Sequence, residues 1–410
     1  MNKLFGNAVV GQSGGPTAAI NATLAGVIEG ALDTDIIGTL YGMRNGIEGL
    51  LEDRLVDLGE IFKDSDKLET LKRTPAAALG SCRKKLPSPH SEAEADKAFY
   101  EKLISVLKKH DIRYFFYIGG NDSMDTVAKL SEYVRLHPEY ELRVIGVPKT
   151  IDNDLAATDH APGYGSAAKF IATVMQEIIQ DCAVYTVRAV TIVEIMGRDA
   201  GWLTAAAGVG GLTPDCIYFP ERDFTMEQFY SDVEKALEKH PNVVIAVSEG
   251  IRFPDGHYVG EAPAYNGKDA FGHVRLSGAA KNLEFAVKEK FGCKVRSIEL
   301  NLPQRCGAHI LSLTDVTEAG QIGKQAVETA LLGASGEMMI FERVSRAPYE
   351  CRVTHKAVSD IANAVSNLPD EYINAEGNGI TDACIEYILP LISGEVDLKY
   401  KNGTPEYIVI

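Results

Sequence analysis

The chain lacks the long apolar runs and the paired cysteines that define membrane proteins and disulfide-rich proteins. No apolar stretch among its 410 residues approaches the ~20 that a membrane helix requires. Its seven cysteines are scattered without a C-x-x-C pair, so their spacing predicts neither a zinc site nor a disulfide framework. Residues 1–6 carry one lysine and lead directly into a strand-like run, so this N-terminal stretch is too short for a signal peptide. We therefore expect a cytoplasmic protein with reduced thiols and no membrane partner.

Basic residues are also in deficit, because 57 aspartates and glutamates oppose 41 lysines and arginines. The formal net charge of −16 argues against a nucleic-acid partner. It does not exclude a small anionic substrate, since a local cationic cleft can lie on an acidic protein. The apolar fraction of 45% is that of an ordinary globular protein, and the length is enough for two or three domains.

Short β-rich runs, each followed by a glycine or polar cluster, recur along the chain. The five clearest runs are 8–10, 114–118, 144–147, 190–195 and 243–247. Their alternation with helical patterns predicts an α/β fold with mostly parallel sheets. Because ligands bind beyond the carboxyl ends of parallel strands, we expect the clusters to line a cleft between two such sheets. Residues 311–410 show fewer strand signals, and their pattern predicts packing helices and a short tail strand at 407–409.

Two of the clusters are rich in glycine. Residues 11–17 read GQSGGPT and open a predicted helix that extends to about residue 31, whereas residues 119–123 read GGNDS. Glycine lets the backbone approach an oxyanion, and a helix N-terminus offers free N–H groups. The first cluster suits phosphate binding and the second suits phosphate or magnesium contact, and a tight turn without a ligand is the alternative for each. The first cluster is neither a P-loop nor a dinucleotide-binding motif.

The third cluster, GVPKTIDND at 146–154, places two carboxylates two residues apart. Residues i and i+2 of an extended segment face the same side, so we expect Asp152 and Asp154 in the cleft with Thr150 beside them. A carboxylate near Lys149 is expected to stay ionised at neutral pH and to accept a proton from an alcohol. A capped loop rich in Asp and Asn is the alternative.

Three further clusters carry charges suited to a sugar phosphate. Arg198 follows a strand in MGRDAGW, and Glu249 in SEG could accept hydrogen bonds from sugar hydroxyls. Arg296 and Arg305 stand nine residues apart around an extended run and could both point at one phosphate. Each signal is weak alone, since most such charges are solvated surface groups.

Taken in order, the clusters resemble the phosphofructokinase family. The succession SGG, GGNDS, PKTIDND, MGR, SEG, PQR covers about residues 7–330 and is far more specific than any one motif. The resemblance implies two Rossmann-like parallel-sheet domains with the active site in the cleft between them. It implies a donor-phosphate-binding domain of residues 1–162 plus about 304–360, and a sugar-phosphate-binding domain of 163–303 plus about 361–410. It also implies Mg²⁺ as cofactor and a homodimer or homotetramer.

The resemblance further implies transfer of a phosphoryl group to the C1 hydroxyl of fructose 6-phosphate, with Asp152 as general base. Gly14, Gly15 and Arg83 match the donor-binding positions, and Thr150 and Asp154 match neighbours of the transferred group, where Lys149 and magnesium would supply positive charge. The positions that match the sugar-phosphate site are Thr150, Ile151, Asp152, Met196, Gly197, Arg198, Glu249, Arg296 and Arg305. In many relatives one arginine of the last pair reaches from a neighbouring subunit.

Three positions depart from the ATP-using members of the family. Asp122 and Lys149 both stand where those members carry glycine, a substitution typical of pyrophosphate-using members. Asp122 would place a negative charge where the α-phosphate of a nucleotide must pass, and Lys149 would add a cation for a shorter donor. Pyrophosphate (diphosphate) is therefore the expected donor, and ATP is the alternative. Asn121 replaces an aspartate that helps to hold magnesium, which leaves a weaker, neutral ligand.

Two other classes of protein remain as alternatives. A dinucleotide-dependent dehydrogenase shares the α/β pattern, but the chain lacks G-x-G-x-x-G with its ribose-binding acid. A catalytically silent sugar-phosphate sensor would not need Asp152, which is intact here.

Overall fold

The structure, a computed structural model, describes residues 4–261, 278–361 and 364–410. Strands and helices alternate along most of this length, as an α/β fold requires. The strands are β1 (Gly6–Gln12), β2 (Ile37–Met43), β3 (Leu55–Asp57), β4 (Ile112–Gly119), β5 (Arg143–Pro148), β6 (Ala189–Ile195), β7 (Cys216–Tyr218), β8 (Asn242–Ser248), β9 (Lys294–Glu299), β10 (Glu337–Ser345), β11 (Glu350–Ala357), β12 (Tyr400–Lys401) and β13 (Thr404–Pro405).

The helices between these strands cover the faces of the sheets. They are α1 (Ile20–Leu32), α2 (Gly46–Leu51), α3 (Leu58–Ile61), α4 (Ser65–Lys72), α5 (Glu94–Lys109), α6 (Asn121–Leu136), α7 (Tyr164–Ala183), α8 (Trp202–Ala206), α9 (Met226–Lys239), α10 (Ala279–Phe291), α11 (Pro303–Cys306), α12 (Leu313–Leu331) and α13 (Asp382–Ile388). No helix among the described residues is long and apolar enough to cross a membrane.

A seven-stranded sheet with the order β11-β10-β5-β4-β1-β2-β3 forms the larger half of the fold. Its five inner strands pair in parallel, and β3 and β11 close its edges in antiparallel pairs. Tyr114 and Phe116 of β4 pack into the core on one face, and Phe115 and Tyr117 pack into the core on the other. This burial on both faces explains why the strand reads as a continuous apolar run.

The second sheet has four parallel strands in the order β7-β8-β6-β9. Val190 and Ile192 of β6 pack on one face, whereas Val193 and Ile195 pack on the other against α7 and α8. The edge strand β9 leaves half of its residues exposed. The prediction of an α/β fold with two mostly parallel sheets is therefore confirmed.

The C-terminal hundred or so residues contain more sheet than the sequence pattern predicts. β10 pairs in parallel with β5, and β11 folds back on β10. The prediction of a tail strand at 407–409 is wrong, because the strand pairing of the tail with other described residues ends before that point, at the small β12–β13 hairpin. Ile408 and Ile410 instead pack against the core of the large sheet. Their alternating apolar pattern reflects burial of side chains and not pairing of backbone.

Candidate active site

The carboxyl ends of β1, β4, β5, β6 and β8 surround one cavity of about 450 Å³. Strands of both sheets contribute, so the cavity lies where the two sheets meet. The predicted site residues that line it are Gly14, Gly15, Arg83, Asn121, Asp122, Lys149, Thr150, Ile151, Asp152, Met196, Arg198, Glu249 and Arg305. The sequence clusters thus converge on one site, as the strand-end argument predicts.

The loop after β1 presents its backbone to the cavity, and two cations from other segments lie against it. Gly14 has φ of 77°, a left-handed conformation that glycine adopts without strain, and its carbonyl accepts a hydrogen bond from Ser81 at 2.6 Å. The Lys149 ammonium donates to the Gly15 carbonyl at 2.6 Å. A β-carbon at Gly15 would lie 3.4 Å from Nη1 of Arg305, so this predicted sugar-side arginine reaches the donor loop.

Lys149 is almost fully buried, with 3% of its surface exposed. Burial lowers the pKa of its ammonium group to about 8, although Asp152 and Asp154 attract the charge and oppose this shift. The lysine is held by its main chain as well, since its N–H donates to the Gly119 carbonyl at 3.0 Å. A buried, fixed cation of this kind stabilises developing phosphate charge more strongly than a solvated one.

The cluster 119–123 turns from β4 into α6. A β-carbon at Gly119 would lie 1.9 Å from the Ser123 hydroxyl, so only glycine fits this turn. The Asp122 carboxylate lies at the cavity edge and pairs with Lys85 at 3.0 Å, with about half of its side chain exposed. Lys85 therefore neutralises part of the charge that was expected to repel a nucleotide. The bulk of the Asp122 side chain still occupies the space that a nucleotide phosphate would need.

Asn121 offers an oxygen ligand next to a carboxylate. Its Nδ2 donates to Oδ2 of Asp154 at 3.4 Å, whereas its Oδ1 is buried and has no hydrogen-bond partner among the described residues. A buried, unpaired amide oxygen beside a carboxylate suits an oxygen-seeking cation such as Mg²⁺. The residues present therefore fit magnesium, which Asn121 and Asp154 would hold together with water and phosphate oxygens.

The loop after β5 brings Asp152 and Asp154 into the cavity, on either side of Asn153, with the Asp152 N–H bound to the Thr150 hydroxyl at 3.1 Å. Burial and the facing Asp154 charge raise the pKa of the Asp152 carboxyl well above its usual range. Burial also raises the pKa of Asp154. The structure thus differs from the expectation that Lys149 alone keeps Asp152 fully ionised at neutral pH. Desolvation and like charge outweigh the lysine.

The sugar-side clusters fit each other closely. Glu249 accepts a hydrogen bond from the Gly197 N–H at 3.3 Å, and Ser248 donates to the Gly197 carbonyl at 2.6 Å. A β-carbon at Gly250 would lie 1.8 Å from the Arg198 carbonyl, so glycine is needed there. Burial raises the pKa of the Glu249 carboxyl. Gly197 therefore acts through its backbone beneath the cavity wall and does not line it.

Arg296 lies outside this cavity. It is exposed on the edge strand β9, in a separate pocket with Tyr185 and Lys294. Within one chain, Arg296 and Arg305 therefore do not converge on one phosphate, because β9 carries Arg296 along the sheet edge while Arg305 follows in α11. A role for Arg296 at the active site needs a second subunit, as the family resemblance implies, and stays a prediction.

The structure adds residues that sequence reasoning missed. Asp199 and Val365 line the cavity, and Gln304 accepts a hydrogen bond from the Met196 N–H at 3.1 Å. Asp199 directly follows the predicted site residues Met196, Gly197 and Arg198, and this position in the sequence could have identified it. No sequence pattern could have identified Val365, because a C-terminal segment brings it to the site through pairing with Leu155.

Comparison with known proteins agrees with this geometry. The phosphofructokinase family model matches residues 7–330. The chain belongs to the phosphofructokinase family. It is 42% identical to two proteins named pyrophosphate--fructose 6-phosphate 1-phosphotransferase, from Methylococcus capsulatus and Xanthomonas campestris pv. campestris, each match covering 98% of this chain and 96% of the relative. A pyrophosphate-dependent phosphofructokinase from Nitrosospira multiformis has a similar structure, with a TM-score of 0.87 and 39% identity over 98% of this chain and 96% of that one.

The match to the phosphofructokinase family model includes every predicted site residue. It ends before β10 and before the C-terminal segment that supplies Val365. That segment is nevertheless shared with the near-full-length relatives, because their matches cover 98% of this chain.

Proposed function

We propose that this phosphofructokinase uses pyrophosphate to phosphorylate fructose 6-phosphate at its C1 hydroxyl, giving fructose 1,6-bisphosphate and phosphate. The observation that carries the proposal is the partly buried Asp152 carboxylate, in one cavity with the buried Lys149 ammonium, Arg198 and Glu249. A general base, a phosphoryl-stabilising cation and sugar-binding groups thus share one space. The names of the 42%-identical relatives support the choice of donor.

The two substrates would occupy opposite sides of the cavity. Pyrophosphate would lie along Gly14, Gly15 and Arg83, with Lys149 at the transferred group. The sugar phosphate would lie along the wall formed by Met196, Arg198 and Glu249, which the Gly197 backbone supports, with its C1 oxygen beside Asp152. Thr150, Ile151 and Arg305 would complete the sugar side. Asp122 fills space at the donor end, where a nucleotide would need room for its inner phosphates.

The reaction needs in-line positioning and charge stabilisation more than covalent help. The C1 oxygen forms a bond to phosphorus as the bridging P–O bond of pyrophosphate breaks. Asp152 takes the proton from the C1 hydroxyl, and the leaving phosphate keeps the bridging electrons. Lys149 stabilises the charge that moves onto the phosphate oxygens. Because pyrophosphate and the sugar bisphosphate are donors of similar energy, the transfer would run in both directions.

Magnesium would supply further positive charge to the phosphates when bound. Asn121 and Asp154 would hold the ion, and its positive charge close to Asp152 and Asp154 would favour the ionised form of Asp152. We also propose the domain division stated above, with residues 1–162 plus about 304–360 binding the donor and 163–303 plus about 361–410 binding the sugar. A cytoplasmic homodimer or homotetramer completes the proposal.

Initial rates with pyrophosphate and with ATP, each with Mg²⁺ and fructose 6-phosphate, test the proposal directly. We expect turnover with pyrophosphate, kcat/KM at least about 100-fold lower with ATP, and a measurable reverse rate from fructose 1,6-bisphosphate and phosphate. A preference for ATP would establish the alternative, an ATP-dependent phosphofructokinase. Absence of turnover with either donor would leave a sugar-phosphate-binding protein.

A further inference from the structure

Asn153 occupies a strained position between the two cavity carboxylates. Its φ of 55° lies in the left-handed region, which asparagine tolerates better than most residues but which still needs support. Its side chain is 3% exposed, and its Oδ1 accepts a hydrogen bond from the Ala161 N–H at 3.0 Å. The backbone turn at Asn153 sets the directions in which Asp152 and Asp154 leave the loop.

Tyr387, on α13, supports this turn from beneath. The Asn153 amide donates to its hydroxyl at 2.9 Å, and the same hydroxyl donates to the Asp159 carbonyl at 2.6 Å. One hydroxyl group therefore links residue 153 to residue 159 and fixes the two ends of the loop relative to each other. Ser366 adds a second tie, since its N–H donates to the Asp154 carbonyl at 2.8 Å.

Tyr387 is itself held rigidly. Nη1 of Arg343 donates to the Tyr387 carbonyl at 3.1 Å, and the guanidinium lies 4.4 Å from the ring centroid. The ring also packs against Trp202 at 5.1 Å and Tyr372 at 5.5 Å between centroids. A hydroxyl on so constrained a ring has few alternative positions, which suits it to hold a loop in one conformation.

We propose that Tyr387 is a positioning residue for phosphoryl transfer, acting through Asn153 to hold Asp152 and Asp154 in their productive directions. The proposal rests on the proposed function, because it needs Asp152 as the group that accepts the proton. Tyr387 does not line the cavity and contacts neither substrate side. Its loss is therefore expected to slow the chemical step and to leave substrate binding nearly unchanged.

The first test is Tyr387→Phe, which keeps the ring and removes the hydroxyl group. We expect kcat to fall about tenfold, because small displacements of a catalytic group are costly, with both KM values within about twofold of the unsubstituted enzyme. Tyr372→Phe is the matched control, since its buried ring adjoins Tyr387 but its hydroxyl has no hydrogen-bond partner in the described part of the chain. It should leave kcat unchanged. An unchanged kcat in Tyr387→Phe, or equal losses in both variants, would overturn the proposal.

The second test asks whether Tyr387 acts through Asn153. Glycine adopts the left-handed conformation without side-chain support, so Asn153→Gly makes the turn independent of Tyr387. Added to Asn153→Gly, Tyr387→Phe should cost less than about twofold in kcat, compared with about tenfold alone. Losses that simply multiply would refute the link. If Tyr387→Phe fails to fold, Asn153→Ala probes the same contact, and an unchanged kcat there would equally refute it.

These outcomes are separable from failure of the proposed function. The comparison uses the ratio of variant to unsubstituted kcat with whichever donor the enzyme accepts. A preference for ATP would refute the choice of donor and leave the test of Tyr387 intact.

Discussion

Replacing the Asp152 carboxylate with an amide should distinguish its part in proton transfer from any part in substrate binding. Asp152→Asn keeps the size of the side chain but cannot accept the proton of the C1 hydroxyl. We expect kcat to fall by about two to four decades, with sugar affinity within a few-fold by calorimetric titration. A near-normal kcat in Asp152→Asn would show that another group is the base.

The individual site residues could be predicted to different degrees. Lys149, Asp152 and Glu249 follow strands directly, so local sequence was enough to assign them to the cavity. The ionisation of Asp152 could not be predicted, because the pKa depends on burial and on the facing Asp154, Glu249 and Asp199 charges. Glu249 and Asp199 approach Asp152 only after distant segments fold together.

At the scale of elements, the contact between α1 and α12 depends on glycine. A β-carbon at Gly26 would lie 1.9 Å from the Gly320 carbonyl oxygen, so the helix backbones nearly touch. Gly26→Ala should force them apart and lower the free energy of unfolding by about 1–3 kcal/mol, measured by urea denaturation. Gly320→Ala is the matched control, because its β-carbon would lie 3.9 Å from the nearest atom.

That control should stabilise the protein by up to about 1 kcal/mol, since alanine favours the helix over glycine. Equal effects of the two substitutions would show that the close approach of α1 and α12 does not limit packing.

Elements were predictable where one strand carried its own signal. β4 and β8 were recognisable from continuous apolar runs, because parallel inner strands are buried on both faces. The β10–β11 hairpin was missed, since β11 alternates partly buried and exposed residues that carry no strong pattern. Its place beside β5 is decided by long-range pairing, which a local pattern does not encode.

At the scale of the whole molecule, His160 joins three distant segments. Its ring nitrogens lie 2.9 Å from Asp159 and 2.8 Å from Glu318 of α12, and the ring stacks on Phe341 of β10 at 4.5 Å. Burial favours the neutral ring, but the two carboxylates outweigh it and raise the pKa of His160 to about 9. The charged histidine therefore stabilises the fold.

This stabilisation should be complete below about pH 6.5, where the unfolded histidine is also charged, and lost as the pH rises to about 9. We expect about 3 kcal/mol to disappear across that interval, seen as a falling Tm. His160→Gln removes the titration, so its Tm should change less between pH 6.5 and 9, and the difference cancels contributions of groups such as Lys149. Parallel Tm curves for the two proteins would contradict the ion-paired histidine.

At the same scale, Arg296 allows the assembly of subunits to be tested. Arg296 is exposed on the edge strand β9 and lies outside its own cavity, so it reaches an active site only if a second subunit places it there.

Arg296→Ala and Asp152→Asn should each be nearly inactive alone, for different reasons. In a mixed oligomer, the Arg296→Ala subunit supplies an intact Asp152 and the Asp152→Asn subunit supplies an intact Arg296. Co-expression should therefore restore activity, to about a quarter of the unsubstituted level for random dimers, because half are mixed and each has one complete site. Absence of any recovery, with mixed dimers verified by differential tags, would place Arg296 outside the catalytic site.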